Sequence, residues 1–211
     1  MINQFVSIIM SVHKMNPFLD DAINSVLKQT HKNFEFLILQ DGVEDKALSL
    51  KLKSYEANDS RIVLFQNKKN LGLTKSLNIL IKKSNSNYIV RQDADDISKI
   101  ERISLQLDFL IKNSLDACFS QAKTMQTGKI LHKKSLNIPL NLLLKIKNPF
   151  IHGTMLVKKD ALQSVGFYDE RFFYSQDYKL YIDLVKNKKK LKQINQVLYE
   201  LNTIKNISSD F

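Results

Sequence analysis

The stretch that decides how this chain is read is residues 88–96, Tyr88-Ile89-Val90-Arg91-Gln92-Asp93-Ala94-Asp95-Asp96. An apolar, β-prone run ends in three carboxylates within four residues, and a helix-start signal follows at Ser98. Carboxylates packed that closely at the end of a strand repel one another. Two readings are open from these residues alone. A hard divalent cation (Mg²⁺, Mn²⁺ or Ca²⁺) relieves the repulsion, and a cation held by one or two carboxylates keeps open positions for a diphosphate. The other reading is a solvated acidic loop that also caps the next helix.

Working outward, three more β-prone runs come first. Val6-Ser7-Ile8-Ile9-Met10-Ser11-Val12 is almost continuously apolar, the pattern of a strand buried on both faces. A second covers residues 34–39 and ends at Gln40-Asp41-Gly42; a third covers 61–66. Helical patterns separate them. Asn16-Pro17 supplies an N-cap and a first-turn proline, ahead of Leu19, Ala22, Ile23, Val26 and Leu27 at helical spacing. Further helices are expected over 45–57 and 74–83. The alternation predicts an α/β fold with a mostly parallel central sheet flanked by helices. Ligands of such sheets bind beyond the carboxyl ends of the strands. Ser11-Val12-His13, Gln40-Asp41-Gly42 and the 93–96 carboxylates should therefore share one edge, which favours the cation reading.

The second half is less regular. Ser98-Lys99-Ile100-Glu101 reads as a capping box opening a helix with Ile103, Leu107, Leu110 and Ile111 inward. Strands are expected over 117–122 and over 124–132, the latter turning at Gly128. Residues 140–146 form a short amphipathic helix or a surface-seeking segment. A short strand over 154–157, a helix over 176–186 and a last strand over 191–201 follow, with the chain frayed from Ile204. Neither an internal repeat nor a linker is visible, so 1–211 is expected to be one domain.

The bulk numbers narrow the class. With 44% hydrophobic and 25% charged residues the composition is that of an ordinary globular protein. Cys118 is the single cysteine, which excludes an internal disulfide framework and suits a reducing compartment. No apolar run has the length of a membrane span, and residues 5–12 lack the basic lead of a signal peptide. A cytoplasmic location is expected. The net charge of +11 is densest at Lys186, Lys188, Lys189, Lys190 and Lys192. Such a surface suits peripheral contact with an anionic leaflet, or simply reflects a lysine-rich composition. Without an aromatic-interleaved basic motif or a recognisable module, nucleic acid is not an expected partner.

Four blocks in order resemble the family-2 glycosyltransferases, inverting enzymes of GT-A fold that use nucleotide-sugar donors, many in bacterial surface-polysaccharide synthesis. They are VSIIMSVHKMNPFLDDAINSVLKQTHKNFEFLILQDG, NKKNLGLTKSLNILI, YIVRQDADDISKIERISLQLDFL and NPFIHGTMLVKKDALQSVGFYDERFFYSQDYKLYIDL, and the similarity runs from Phe5 to Tyr199. The resemblance implies a nucleotide-sugar-binding half over residues 1–98 and an acceptor-side half over 99–211. The donor it implies is foremost a UDP-sugar, the acceptor a saccharide or lipid-linked saccharide, the cofactor Mn²⁺ or Mg²⁺; a homodimer is compatible with it.

The family's roles carry over at matching positions. Ser11 and His13 lie on the loop that covers the base, His13 replacing a more usual tyrosine. Asp41 matches the aspartate that accepts from the uracil edge; its plainer role is a turn-former before Gly42. Asp93 and Asp95 match the DxD motif, Asp95 as ligand of the metal bridging the donor phosphates, Asp93 toward the ribose or the metal's shell. Asp96 positions this loop or caps the helix. Arg91 meets a phosphate or the donor sugar, or else forms a salt bridge to the acidic cluster. His152 falls near the donor diphosphate, or is a satisfied core histidine. Asp177 matches the general base, the second of an acidic pair whose first member here is Gln176. That departure and His13 are the support for a rival reading, a non-catalytic nucleotide-sugar or polyanion-binding module on the same fold.

Overall fold

In the computed structural model, which describes residues 3–131 and 139–204, the apolar run near the start lies inside a continuous sheet. Strand β1 (Val6–Val12) pairs in parallel with β2 (Phe34–Asp41) on one side and with β4 (Tyr88–Arg91) on the other; β3 (Ile62–Asn67) flanks β2. Alternate residues of these strands supply two cores, as a period of two requires. Ile8, Met10, Phe36 and Ile38 face Leu19, Ile23 and Val26 of α1 (Leu19–Leu27) and Leu48 and Leu52 of α2 (Lys46–Asn58). Ile9, Leu37 and Leu39 face Leu77, Leu80 and Ile81 of α3 (Leu73–Lys83). Both faces being covered explains why the strands are apolar throughout.

Beyond β4 the sheet becomes mixed. Its order is β3-β2-β1-β4-β8-β6-β9-β5, with β7 on β6. Here β5 is Ile97–Ser98, β6 Ala117–Thr124, β7 Ile130–Leu131, β8 Leu156–Lys158 and β9 Leu191–Leu201. β8 runs antiparallel between β4 and β6, while β9 is parallel to β6 with register shifts around Gln121. The parallel half matches the expectation, and the antiparallel insertion of β8 brings the 152–155 segment against the end of β4. The helices of this half are α4 (Arg102–Lys112), α5 (Leu140–Leu143), α6 (Lys159–Gln163) and α7 (Gln176–Lys186).

Several local expectations are corrected. Ser98 does not open a helix: residues 97–98 pair with Tyr199 and Glu200, and α4 starts at Arg102 after Glu101. The Ser98 hydroxyl is instead engaged by Gln92 and Arg102. Asn16 does not cap α1 directly, since the helix begins at Leu19; its Oδ1 accepts from Phe18 N and its Nδ2 donates to the Ala94 carbonyl. Of the strand expected over 124–132, Thr124 ends β6 and Ile130 and Leu131 form β7; residue 132 lies outside the described residues, as do 205–211 of the expected frayed end. The helix expected over 140–146 stops at Leu143. Residues 152–154 are a 3₁₀ turn, so the short strand begins at Leu156, and α6 had no counterpart in the sequence reading.

At the amino ends of the strands Glu35 forms a polar latch. Its buried carboxylate accepts from Ser7 Oγ at 2.5 Å, Asn85 N at 2.7 Å and Asn85 Nδ2 at 2.8 Å, tying β1 and β2 to the turn before β4. Truncation strands buried donors, so Glu35→Ala is expected to cost about 2 kcal/mol. Urea unfolding should register the loss, and ligand affinity at the opposite edge should be unchanged.

Candidate functional site

The carboxyl ends of β1, β2 and β4 meet, as parallel pairing demands, with Val12 in register with Gln40 and Ile9 with Arg91. Ser11, partly buried, lies one residue before the end of β1, opposite Leu39. His13 Nδ1 is 2.6 Å from the Asp41 carbonyl and its Nε2 is 3.1 Å from Asn70 Nδ2. A carbonyl only accepts, so Nδ1 carries the proton and Nε2 accepts from the Asn70 amide. The Asp41 carboxylate, 2% exposed, accepts from Asn67 Nδ2 at 2.8 Å, Leu71 N at 2.9 Å and Gly72 N at 2.8 Å. It holds the loop that leads into α3 by its otherwise unpaired amides. Gly72 has φ +86°, where a Cβ would be strained.

The acidic cluster is divided between different partners. Arg91, 2% exposed, forks onto Asp93, with Nη2 donating to Oδ1 at 2.5 Å and Nη1 paired with Oδ2. Burial works against the Arg91 charge, but Asp93 overrides it and the guanidinium stays protonated. Of the two roles set out for Arg91, the salt bridge is the one present. Burial, then the charge of Asp93, pushes the Asp95 carboxyl up, and the same causes in the same order raise Asp96. Asp96 is buried and accepts from Asn202 N at 2.7 Å, so it anchors the end of β9 rather than a helix start. Asp95 has no ion-pair partner among the described residues.

Beneath the cluster lies Arg102, fully buried at the first turn of α4. It donates to Gln106 Oε1, Gln92 Oε1, Ser98 Oγ and the carbonyls of Arg91 (2.9 Å) and Gly153 (2.7 Å). Its plane stacks over Tyr199, 4.7 Å from the ring centroid. With no carboxylate bonded to it, burial drives its pKa down to about 10. The Tyr199 hydroxyl accepts from Asp93 N. Gly153 is wedged between them: a Cβ there would come within 2.6 Å of the Tyr199 hydroxyl and 2.8 Å of Asp93 Oδ2.

Next to Gly153, His152 is partly buried, its Nε2 hydrogen-bonded to the Tyr168 hydroxyl at 2.7 Å. Burial, helped by Arg91, holds its pKa well below 6.5. Asp177 lies in the first turn of α7, where Asn148 Nδ2 donates to its Oδ2 at 2.8 Å. Burial is the main cause that raises the Tyr168 and Tyr181 hydroxyl pKa values, and the charges of Asp177 and Asp93 add to it. Gln176 is buried, where an amide avoids the cost of burying a carboxylate. The lysines of 186–192 are elsewhere: they surround the carboxyl end of α7 and the start of β9, whereas β9 reaches the carboxylates only at its other end.

A divalent cation fits this donor set. Asp93 is ion-paired with Arg91, while Asp95, partly buried, has no ion pair among the described residues and accepts only a long hydrogen bond from Asn202 Nδ2 at 3.5 Å. Among the described residues no group of three or more Asp, Glu, His or Cys side chains is placed to hold a metal ion. One or two carboxylates completed by phosphate oxygens is how Mg²⁺ and its relatives are commonly bound.

The fold has counterparts among known proteins. The family model "Glycosyl transferase family 2" matches residues 7–178. The chain belongs to glycosyl transferase family 2. It is 30% identical over 186 residues to the Escherichia coli O-antigen biosynthesis glycosyltransferase WbnJ, covering 85% of this chain and 71% of that one. To the E. coli UDP-Glc:α-D-GlcNAc-diphosphoundecaprenol β-1,3-glucosyltransferase WfgD it is 29% identical over 185 residues, covering 86% and 70%. The crystal structure of S. aureus TarS residues 1–349 with UDP-GlcNAc superposes with a TM-score of 0.78 at 16% identity, covering 95% of this chain and 59% of that chain. The GT-A fold of this family is therefore that of the present chain, which spans less than two thirds of TarS 1–349.

Sequence reasoning missed Arg102, Tyr199, Asn70, Asn148 and Gly153. Arg102 looks like an ordinary exposed residue at a helix start, and only the stacking of β9 over it reveals its burial. Two outcomes follow. Arg102→Leu leaves the carbonyls of Arg91 and Gly153 without donors and should cost at least about 3 kcal/mol in urea unfolding, with Arg102→Lys a poor rescue. Because the pKa of His152 is lowered on folding, its neutral form favours the native state at high pH, and that contribution is lost as pH falls below 6.5. The unfolding midpoint should drop between pH 7 and 5, with a shallower drop in His152→Gln.

Proposed function

We propose that this domain is a metal-dependent inverting glycosyltransferase that moves a sugar from a nucleoside-diphosphate donor, a UDP-sugar, to a saccharide or lipid-linked saccharide in surface polysaccharide synthesis. The observation that carries the reading is the gathering of three strand-end clusters on one edge, with Asp95, which has no ion pair among the described residues, beside an Arg91-pinned Asp93. The names of WbnJ and WfgD, and the UDP-GlcNAc bound to TarS, support donor and pathway.

Each residue then has a task. Ser11, His13 and Asp41 line the base end. Asp41 Oδ2 accepts one bond from Gly72 N and keeps capacity for a base N–H. Asp95, with Asp93 adjoining, holds Mn²⁺ or Mg²⁺, which when bound neutralises charge on the departing diphosphate. Arg91 keeps Asp93 ionised and in place, and its buried guanidinium adds positive potential beside the phosphates. His152, neutral and tied to Tyr168, borders the diphosphate through the Gly153 turn. Asp177 accepts the proton of the acceptor hydroxyl as that oxygen attacks the anomeric carbon opposite the leaving group. Asn148 orients it by binding Oδ2, leaving Oδ1 for the acceptor.

Calorimetric titration with UDP, GDP, dTDP and CDP, with Mn²⁺ and then with chelator, tests the donor assignment. Metal-dependent binding of UDP alone is the expected result; no binding of any nucleotide would favour the non-catalytic module instead. Asp95→Ala should weaken Mn²⁺-dependent UDP binding at least about tenfold, on the scale of disrupted metal-site interactions. Asp177→Asn should leave that binding intact and lower turnover by about 10²–10⁴.

A further inference from the structure

Around the first turn of α7 the surface is apolar on two sides of Asp177. On one side, Ile146 is 73% exposed and Leu142 46%; on the other, Phe173 is 77% exposed and Tyr174 61%. Both segments are fastened to α7. The Tyr178 hydroxyl donates to the Leu144 carbonyl at 2.6 Å, and Asn148 donates to Asp177. Opposite, Thr74 Oγ1 donates to the Phe172 carbonyl at 2.9 Å, and the Lys179 ammonium lies 6.0 Å from the Phe172 ring centroid. The apolar tips thus stand on well-tethered backbone.

Their chemistry points to one occupant. Lys145 and Lys147 are exposed and alternate with Ile146, and residues 140–147 contain no acid. Across the turn the exposed Arg171 is paired with Asp169 while the exposed Glu170 has no ion pair among the described residues, so the positive charge of the rim comes from Lys145 and Lys147. Aromatic and aliphatic tips interleaved with lysines are the composition of a surface that enters the headgroup region of an anionic bilayer: rings sit at the polar boundary and ammonium groups meet lipid phosphates. We propose that the rim of Leu142, Ile146, Phe173 and Tyr174, with Lys145 and Lys147, docks this domain on an anionic lipid surface. Asp177 then lies near headgroup level, where a lipid-linked acceptor presents its sugar. That consequence rests on the reading of Asp177 as the base; the docking is measured without donor or acceptor. The lysines of 186–192 are at the other end of α7 and take no part.

The chain contains no tryptophan, so Phe173→Trp supplies a single reporter. With phosphatidylcholine–phosphatidylglycerol vesicles its emission should shift to the blue and be quenched by brominated acyl chains, and phosphatidylcholine alone should give neither. Co-sedimentation of the unmodified chain with the anionic vesicles should fall by about tenfold in Ile146→Ser/Phe173→Ser, and also in Lys145→Glu/Lys147→Glu, each removing one component of interfacial binding. Lys188→Glu/Lys190→Glu should sediment like the unmodified chain. The proposal is overturned if no vesicle binding occurs, or if binding depends on Lys188 and Lys190 while the emission of the Phe173→Trp variant is unchanged. It is equally overturned if sedimentation velocity shows a dimer dissolved by the Ile146→Ser/Phe173→Ser variant without lipid, since the rim then covers a second copy. Nucleotide titration of the same variants stays normal in every case, so failure here is separable from failure of the donor site.

Discussion

A buried guanidinium with no carboxylate hydrogen-bonded to it is the constraint on which this edge depends. Arg102 contributes every N–H of its fork to the interior, joining α4, the end of β4, the turn at 153 and the Gln92–Ser98 loop in one network. Burying such a charge is costly unless each donor is matched. Here five acceptors and the face of Tyr199 do the matching, and the cation sits directly under a group of carboxylates. The acidic loop is therefore shaped from below by positive charge before any ligand arrives.

Two arginines of similar burial do different work. Arg91 binds a carboxylate bidentately and so fixes Asp93 in one orientation. Arg102 binds neutral acceptors and fixes backbone. Between them Asp93 is neutralised and Asp95 is not, an asymmetry that makes the second carboxylate the natural place for added positive charge. Gly153 completes the arrangement by absence: any side chain at that position would collide with Tyr199 and Asp93.

The Asp177 end of the edge is organised by α7. Its first turn carries Asp177, and its flanks carry the exposed aromatic and aliphatic tips. The lysines of 186–192 surround the opposite end of that helix from Asp177. Net charge is a property of composition; which face it occupies is a property of the fold.

Periodicity in the sequence alone determined the parallel half of the sheet. Continuous apolar runs separated by helical spacing leave one economical way to bury both faces, and parallel pairing then forces residues 11–13, 40–42 and 93–96 onto one edge. The spans of α7 and β9 were legible for the same reason. Pairings with no local signature were decided only by tertiary structure. Ser98 carries a helix-start motif but is drawn into β5 because Tyr199 and Glu200 offer ladder partners and Arg102 takes its hydroxyl, long-range contacts outweighing a local cap worth about 1 kcal/mol. The antiparallel entry of β8, the burial of Arg102 and the engagement of Asp95 and Asp96 by Asn202 depend on residues distant in sequence, and local pattern holds no information about them.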